Sequence, residues 1–261
     1  MRMRMRTGSK LLLVAALVLA TATAPAAAET APDPGYVTLP PYQGPAPVVE
    51  AAPASAAPTV AGRRLLARLD AVAARLAAAG STAYQAATVV DERRGSYRWD
   101  CSGMMNWLLQ RSAPAARRRL GSSRPVARDY VRVIAAAPMA PARGRAGWQQ
   151  LRRVDELQPG DVFAFLRAPI SLSKVSGHVG VVVSAPVAVP GWPGVYAVRI
   201  VDSTRARHDD DSRAGDGIGG FGYGTITFGT DDAGAPIGYG WAGTAMPWIV
   251  KTRIVLGRVV R

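Results

Sequence analysis

The chain changes character at Asp155, and that change limits its fold more than any other feature of its 261 residues. Before it, apolar residues recur at helical spacing; after it they come in short β-rich runs between Gly/Pro turns. Leu65, Leu69, Val72 and Leu76 form one stripe, with Arg63, Arg64, Arg68 and Arg75 largely elsewhere. This predicts a helix over residues 61–79, stopped by Gly80. A second helix is expected from Cys101 or Ser102 to about Ser112, with Met104, Met105, Leu108 and Leu109 inward and Pro114 just beyond its end. Ser123 and Pro125 open a third, with Val126, Tyr130 and Val133 as its stripe, and Trp148 and Leu151 suggest a short helical turn. Beyond Asp155, residues 157–161 read as a turn. Strands are expected at 162–166, 178–184, 195–202, 225–228 and 249–260. Helices first and strands second predict an α+β domain over 61–261, with N-terminal helices packed on an antiparallel β-sheet.

Residues 1–28 read as an export signal: Arg2, Arg4, Arg6 and Lys10 precede a short apolar core, and Ala26-Ala27-Ala28 is a small-residue cleavage site. The core is too short for a membrane span. The expected location is therefore secreted, periplasmic or at the cell envelope, with no span once the signal is removed. Residues 29–60 are Pro- and Ala-rich without hydrophobic period, which predicts a disordered linker. Losing four basic and no acidic residues leaves 28 Lys and Arg against 18 Asp and Glu, a net charge of +10. That balance favours polyanions (nucleic acid, acidic wall polymers or anionic lipid headgroups), with a solvated basic surface as the plainer reading, and peptidoglycan or another anionic wall polymer is the expected partner. No zinc-finger, basic-zipper or aromatic RNA-binding signature accompanies it, so nucleic acid is not expected as a partner. The domain is expected to act as a monomer.

A lone cysteine, Cys101, cannot form an intrachain disulfide in an exported protein. It follows a small turn and heads a helical run, and a helix N-terminus stabilises a thiolate. Only the thiolate attacks, and an imidazole held in one tautomer by a third polar group is the usual activator. His178 starts a β-rich run, and Asp202 ends the next; they are the candidate base and its orienting carboxylate. The backbone N–H of Cys101 and the Tyr97 side chain are candidate oxyanion donors, with Asp100 and Ser102 beside them as substrate-contacting positions. The plainer readings are a buried structural thiol, a structural histidine and a strand-end carboxylate.

Three blocks carry a resemblance. Asp100-Cys101-Ser102-Gly103, then Leu157-Gln158-Pro159-Gly160-Asp161-Val162-Phe163-Ala164-Phe165, then His178-Val179-Gly180-Val181-Val182-Val183 resemble the signature of NlpC-type cell-wall peptidases, in the family's order and over roughly residues 84–204. These enzymes are papain-like cysteine hydrolases. The resemblance implies a papain-like fold and a Cys101–His178–Asp202 site working through an acyl-enzyme without a cofactor or metal. It also implies amide bonds of peptidoglycan stem peptides as substrate. The chain departs from the pattern in the long stretch between His178 and Asp202, in an Asp at the third position, in a reduced glycine-rich approach to Cys101, and in an unplaced tail. A non-catalytic wall- or protein-binding module and a transglutaminase-like acyltransferase are the competing classes.

His208, the only other histidine, lies in Arg205-Ala206-Arg207-His208-Asp209-Asp210-Asp211 and reads as part of a solvated charged loop, with an ion pair to its neighbours as the alternative. Asp209, Asp210, Asp211 and Asp216 lack the ligand spacing of a calcium loop. The Gly217–Gly222 stretch satisfies G-x-G-x-x-G without a helix after it and reads as a flexible loop. Trp148, Tyr223, Tyr239 and Trp241 read as core or loop anchors, with stacking on sugar or peptide as the alternative.

Overall fold

The computed structural model describes residues 35–172, 174–213 and 219–260. The expected export signal, Asp216 and the first two residues of the Gly-rich stretch lie outside them. In chain order the elements are β1 (Tyr36–Thr38), α1 (Val60–Ala77), β2 (Ser81–Tyr84), β3 (Val89–Asp91), β4 (Ser96–Trp99), α2 (Cys101–Ser112), α3 (Pro114–Arg119) and α4 (Ala127–Ala135). There follow β5 (Trp148–Leu151), β6 (Val162–Leu166), β7 (Gly177–Val182), β8 (Val187–Ala188), β9 (Val195–Thr204), β10 (Gly220–Thr230), β11 (Pro236–Gly240), β12 (Trp248–Lys251) and β13 (Ile254–Val259). Among the described residues no helix is long and apolar enough to cross a membrane.

Ten of these strands form one sheet in the order β1-β12-β11-β10-β9-β7-β6-β13-β5, with β8 beside β9. All of its pairings are antiparallel. This overturns the expected papain-like α+β arrangement of helices on a sheet: the molecule is predominantly an antiparallel β structure. Alternation along each strand shows why. Val179 and Val181 of β7, Val162 and Ala164 of β6 and Val201 of β9 pack with Leu65, Met104, Leu108 and Tyr130 of the helices. Their neighbours Phe163, Phe165, Val182, Val198, Ile200, Ile226, Phe228 and Leu256 build a second core with no α-helical residue in it. Phe165 of β6 stacks on Tyr239 of β11 at 4.2 Å between ring centroids, although three strands separate them in the sheet. The sheet therefore curls over and buries its second face against itself, a role the sequence pattern assigns to helices.

Residues 35–60 also depart from expectation. β1 pairs with β12, and Val49, Val189, Trp192, Val195 and Ala197 form a third apolar cluster where the helices do not reach. Trp192 Nε1 donates to the Pro40 carbonyl at 2.9 Å. A segment without hydrophobic period still covers a sheet edge, because a few apolar side chains and one strand pairing suffice. Trp148–Leu151 is a strand, paired with β13, and not a helical turn. The turn at 158–161 is held by Arg258 of β13, which donates to both carboxylate oxygens of Asp161 at 2.9 and 2.8 Å.

Candidate active site

The site begins at the head of α2. Asp100 caps this helix, its Oδ1 accepting the Gly103 N–H at 2.6 Å, while Arg124 lies 3.4 Å from its other oxygen. Gly103 has no side chain because a Cβ there would sit 2.3 Å from Thr88 Oγ1. Cys101 is the first helical residue, 6% exposed, at the floor of a cleft. Two basins of about 630 and 680 Å³ meet at Tyr84, Asp100, Cys101, Arg167, Val175 and Gly177.

β7 and β9 run antiparallel with Val181 opposite Val201, a register that sets His178 and Asp202 on one face. His178 Nε2 lies 2.7 Å from Asp202 Oδ2, which leaves Nδ1 for Cys101 in the cleft that both residues line. Burial opposes charge on this ring, but the ionised Cys101 and the Asp202 carboxylate outweigh it and raise His178 to about 10. Burial likewise disfavours the Asp202 carboxylate. His208 and His178, through charge and hydrogen bonds, reverse that and hold it well below the usual carboxylate range. The three residues singled out from the sequence therefore meet in one place.

His208 does not lie in a solvated loop. Its Nε2 is 2.8 Å from the same Asp202 Oδ2, its Nδ1 is 3.0 Å from the Trp241 carbonyl, and its side chain is fully buried. Arg213 donates to Asp202 Oδ1, and its other guanidinium nitrogens donate to Asp211 Oδ2 at 2.5 Å and the Gly220 carbonyl at 2.9 Å. Gly222 and Gly224 of β10 clear the space: added Cβ atoms would lie 2.7 Å from the Arg213 side chain and 2.6 Å from His208 Cβ. This face of β10 is thus stripped for the side chains of Arg213 and His208. Glycines two apart inside a β-rich run were the sequence signal for it.

Tyr97 is placed elsewhere. It is buried against Trp99 and Trp107, with ring centroids 5.3 and 6.0 Å away, and is not an oxyanion donor. Asp100 works as a cap at the cleft wall. Ser102 is buried beside the thiol, its Oγ 3.8 Å from Sγ. Tyr84, overlooked in the sequence, lines both basins, and burial and the charge of Cys101 push its hydroxyl up to about 12. It stays a proton donor at the cleft. Tyr239 and Trp241 line the His178 side, and Trp148 is a core residue whose Nε1 donates to the Ala116 carbonyl at 3.0 Å. Among the described residues no group of three or more His, Cys, Asp or Glu side chains could hold a metal ion.

The fold and site define a β-rich protein with a buried cysteine–histidine–aspartate constellation. Over 183 residues the chain is 30% identical to an uncharacterized protein of Acanthamoeba polyphaga mimivirus, an alignment spanning 61% of this chain and 77% of the viral one. The chain belongs to the same family as that viral protein. No family model and no solved structure matches it.

Proposed function

We propose that the protein is an exported thiol hydrolase that cleaves amide bonds, with peptidoglycan stem peptides as its substrate. One observation carries this reading: a cysteine at a helix N-terminus lines the same cleft as a histidine whose Nε2 is fixed by a buried aspartate at 2.7 Å. The three-block resemblance to NlpC-type peptidases, the signal-like residues 1–28 and the arginine-rich composition support the substrate class.

In this mechanism the Cys101 thiolate attacks the carbonyl carbon, forming the S–C bond and moving the carbonyl π pair onto oxygen. Tyr84 and the backbone N–H groups at the head of α2 are the donors available to that oxyanion. His178, protonated through the neutral range, gives its Nδ1 proton to the departing amine as the C–N bond breaks. The neutral ring then takes a proton from water, whose oxygen attacks the thioester and releases the acid. Asp202 holds Nε2–H throughout.

Purified protein and Cys101→Ala are to be incubated with peptidoglycan and the products read by mass spectrometry. New peptide fragments from the wild type alone are expected. Binding to the wall without products from either protein would overturn the reading in favour of a binding module. The cleft's opening on both sides of Cys101 favours one further reading, acyl transfer to an amine. An amide product when a primary amine is added would identify it.

A further inference from the structure

Asp202 is shared, and the sharing fixes the state of its second histidine. His208 Nδ1 faces the Trp241 carbonyl at 3.0 Å, and Nε2 faces Asp202 Oδ2 at 2.8 Å. A carbonyl oxygen and a carboxylate oxygen only accept, so both ring nitrogens must donate. Charge balance agrees. The buried set holds two carboxylates, Asp202 and Asp211, the latter accepting the His208 N–H at 2.8 Å and the Arg213 guanidinium at 2.5 Å. Arg213 supplies one positive charge, and a charged His208 supplies the other.

We propose that His208 is a positioning residue: carrying a proton on each ring nitrogen, it clamps Asp202 so that the carboxylate can hold His178 toward Cys101. Among the described residues the ring has no other hydrogen-bond partner. From β9 it meets Asp202; from β10 it meets Gly224, which brings no side chain; from the segment after β11 it meets the Trp241 ring, 4.2 Å between centroids. In its own loop Asp211 takes its backbone N–H and Asp209 turns away to Thr244. On the far side of Asp202 stand Arg213 and His178, the latter also against Phe163 and Phe165 of β6. Among the described residues His208 is not in the lining of the cleft, so it acts through Asp202. The catalytic part of this proposal rests on the thiol-hydrolase reading; the protonation of His208 does not.

The chain has two histidines, which makes the test direct. Imidazole ¹⁵N–¹H correlation spectra of the wild-type protein at neutral pH, assigned with His178→Asn, are expected to show protons on both His208 nitrogens, protected from exchange. A His208 ring with one bare nitrogen would overturn the proposal without any substitution at that site. The second measurement is the iodoacetamide alkylation rate of Cys101 at pH 6 in wild type, His208→Gln, Asp202→Asn and the double variant. The expected result is at least a tenfold slowing in each single variant and no further slowing in the double, because the two residues act as one unit. A wild-type rate in a folded His208→Gln, or losses that multiply in the double variant, would overturn it. If His208→Gln fails to fold, the wild-type spectra decide. A wild-type thiol no faster than the same thiol in urea would sink the hydrolase reading while leaving the spectral result for His208 standing.

Discussion

Ser203 donates its hydroxyl to the Trp99 carbonyl at 2.9 Å, and that one bond ties the strand carrying Asp202 to the turn that delivers Cys101. Asp202 and Ser203 are consecutive on β9 and so face opposite sides of the sheet, one into the charged network and the other under the head of α2. Replacing Ser203 by Ala removes this buried hydrogen bond, a cost of about 0.5–1.5 kcal/mol, while the Gln85 N–H still donates to the same carbonyl at 3.2 Å. The expected outcome is a lower urea midpoint and slower Cys101 alkylation. Unchanged alkylation in a destabilised variant would show that this bond does not align the site.

The proton on His178 gives folding a defined pH dependence. The folded protein keeps it up to about pH 10, while an unfolded chain releases it near 6.5. The contribution to stability is therefore complete below about 6.5 and disappears as pH rises from there to about 10. Asp202 works the other way: its contribution is complete above the unfolded carboxylate range and is lost as acid protonates it. Urea unfolding of the wild type should weaken steadily on the alkaline side and that of His178→Asn should be flatter there. In Cys101→Ala, where the thiolate's upward pull is gone, the alkaline loss should come at lower pH. Identical alkaline slopes in wild type and His178→Asn would refute this account.

Gly222 and Gly224 are expected to tolerate alanine poorly. Each added methyl group meets Arg213 or His208 at under 3 Å, and overpacking of this kind costs roughly 1–3 kcal/mol. Both variants should melt lower and lose the protected imidazole signals of His208. A wild-type melting temperature in Gly224→Ala would mean that His208 is not seated against β10.

Asp202→Asn should be more damaging to stability than His208→Gln. The first strips the shared counter-charge from Arg213 and both histidines, a loss on the order of 3–5 kcal/mol for breaking a buried pair. The second leaves Arg213 on the carboxylate. Calorimetry of the two variants checks the order, and a reversed order would contradict the placement of Asp202 at the centre of the network.

Tyr84→Phe removes a hydroxyl from the cleft and nothing from the core. With a peptide substrate, kcat is expected to fall roughly a hundredfold with little change in KM, the pattern for an oxyanion donor. An unchanged kcat would assign oxyanion binding to the backbone N–H groups alone.

Local pattern made part of this molecule legible. The leucine stripe of α1, the thiol at the head of α2 and the strands carrying His178 and Asp202 follow from periodicity and from where polar residues interrupt it. What local pattern does not carry is the curling of the sheet, because Phe165 and Tyr239 find each other across three intervening strands. His208 was missed for a related reason: in a run of Arg and Asp it looks solvated, and only the cleared face of β10 puts it in the interior. Nearness in sequence to Cys101 points to Tyr97 and gives no sign of Tyr84. β4 turns Tyr97 into the aromatic cluster, whereas β2 brings Tyr84 to the cleft from further away.

Residues close to one end of the described chain are fastened to residues close to the other. Tyr36 lies opposite Val250, and Thr59 Oγ1 donates to the Val259 carbonyl at 2.6 Å. Contacts over such sequence separations close large loops and form late in folding. The sheet that holds His178 against Asp202 also contains β13, which pairs with β6. The pairing of β7 with β9 that sets His178 beside Asp202 therefore sits inside a sheet closed by contacts of large sequence separation.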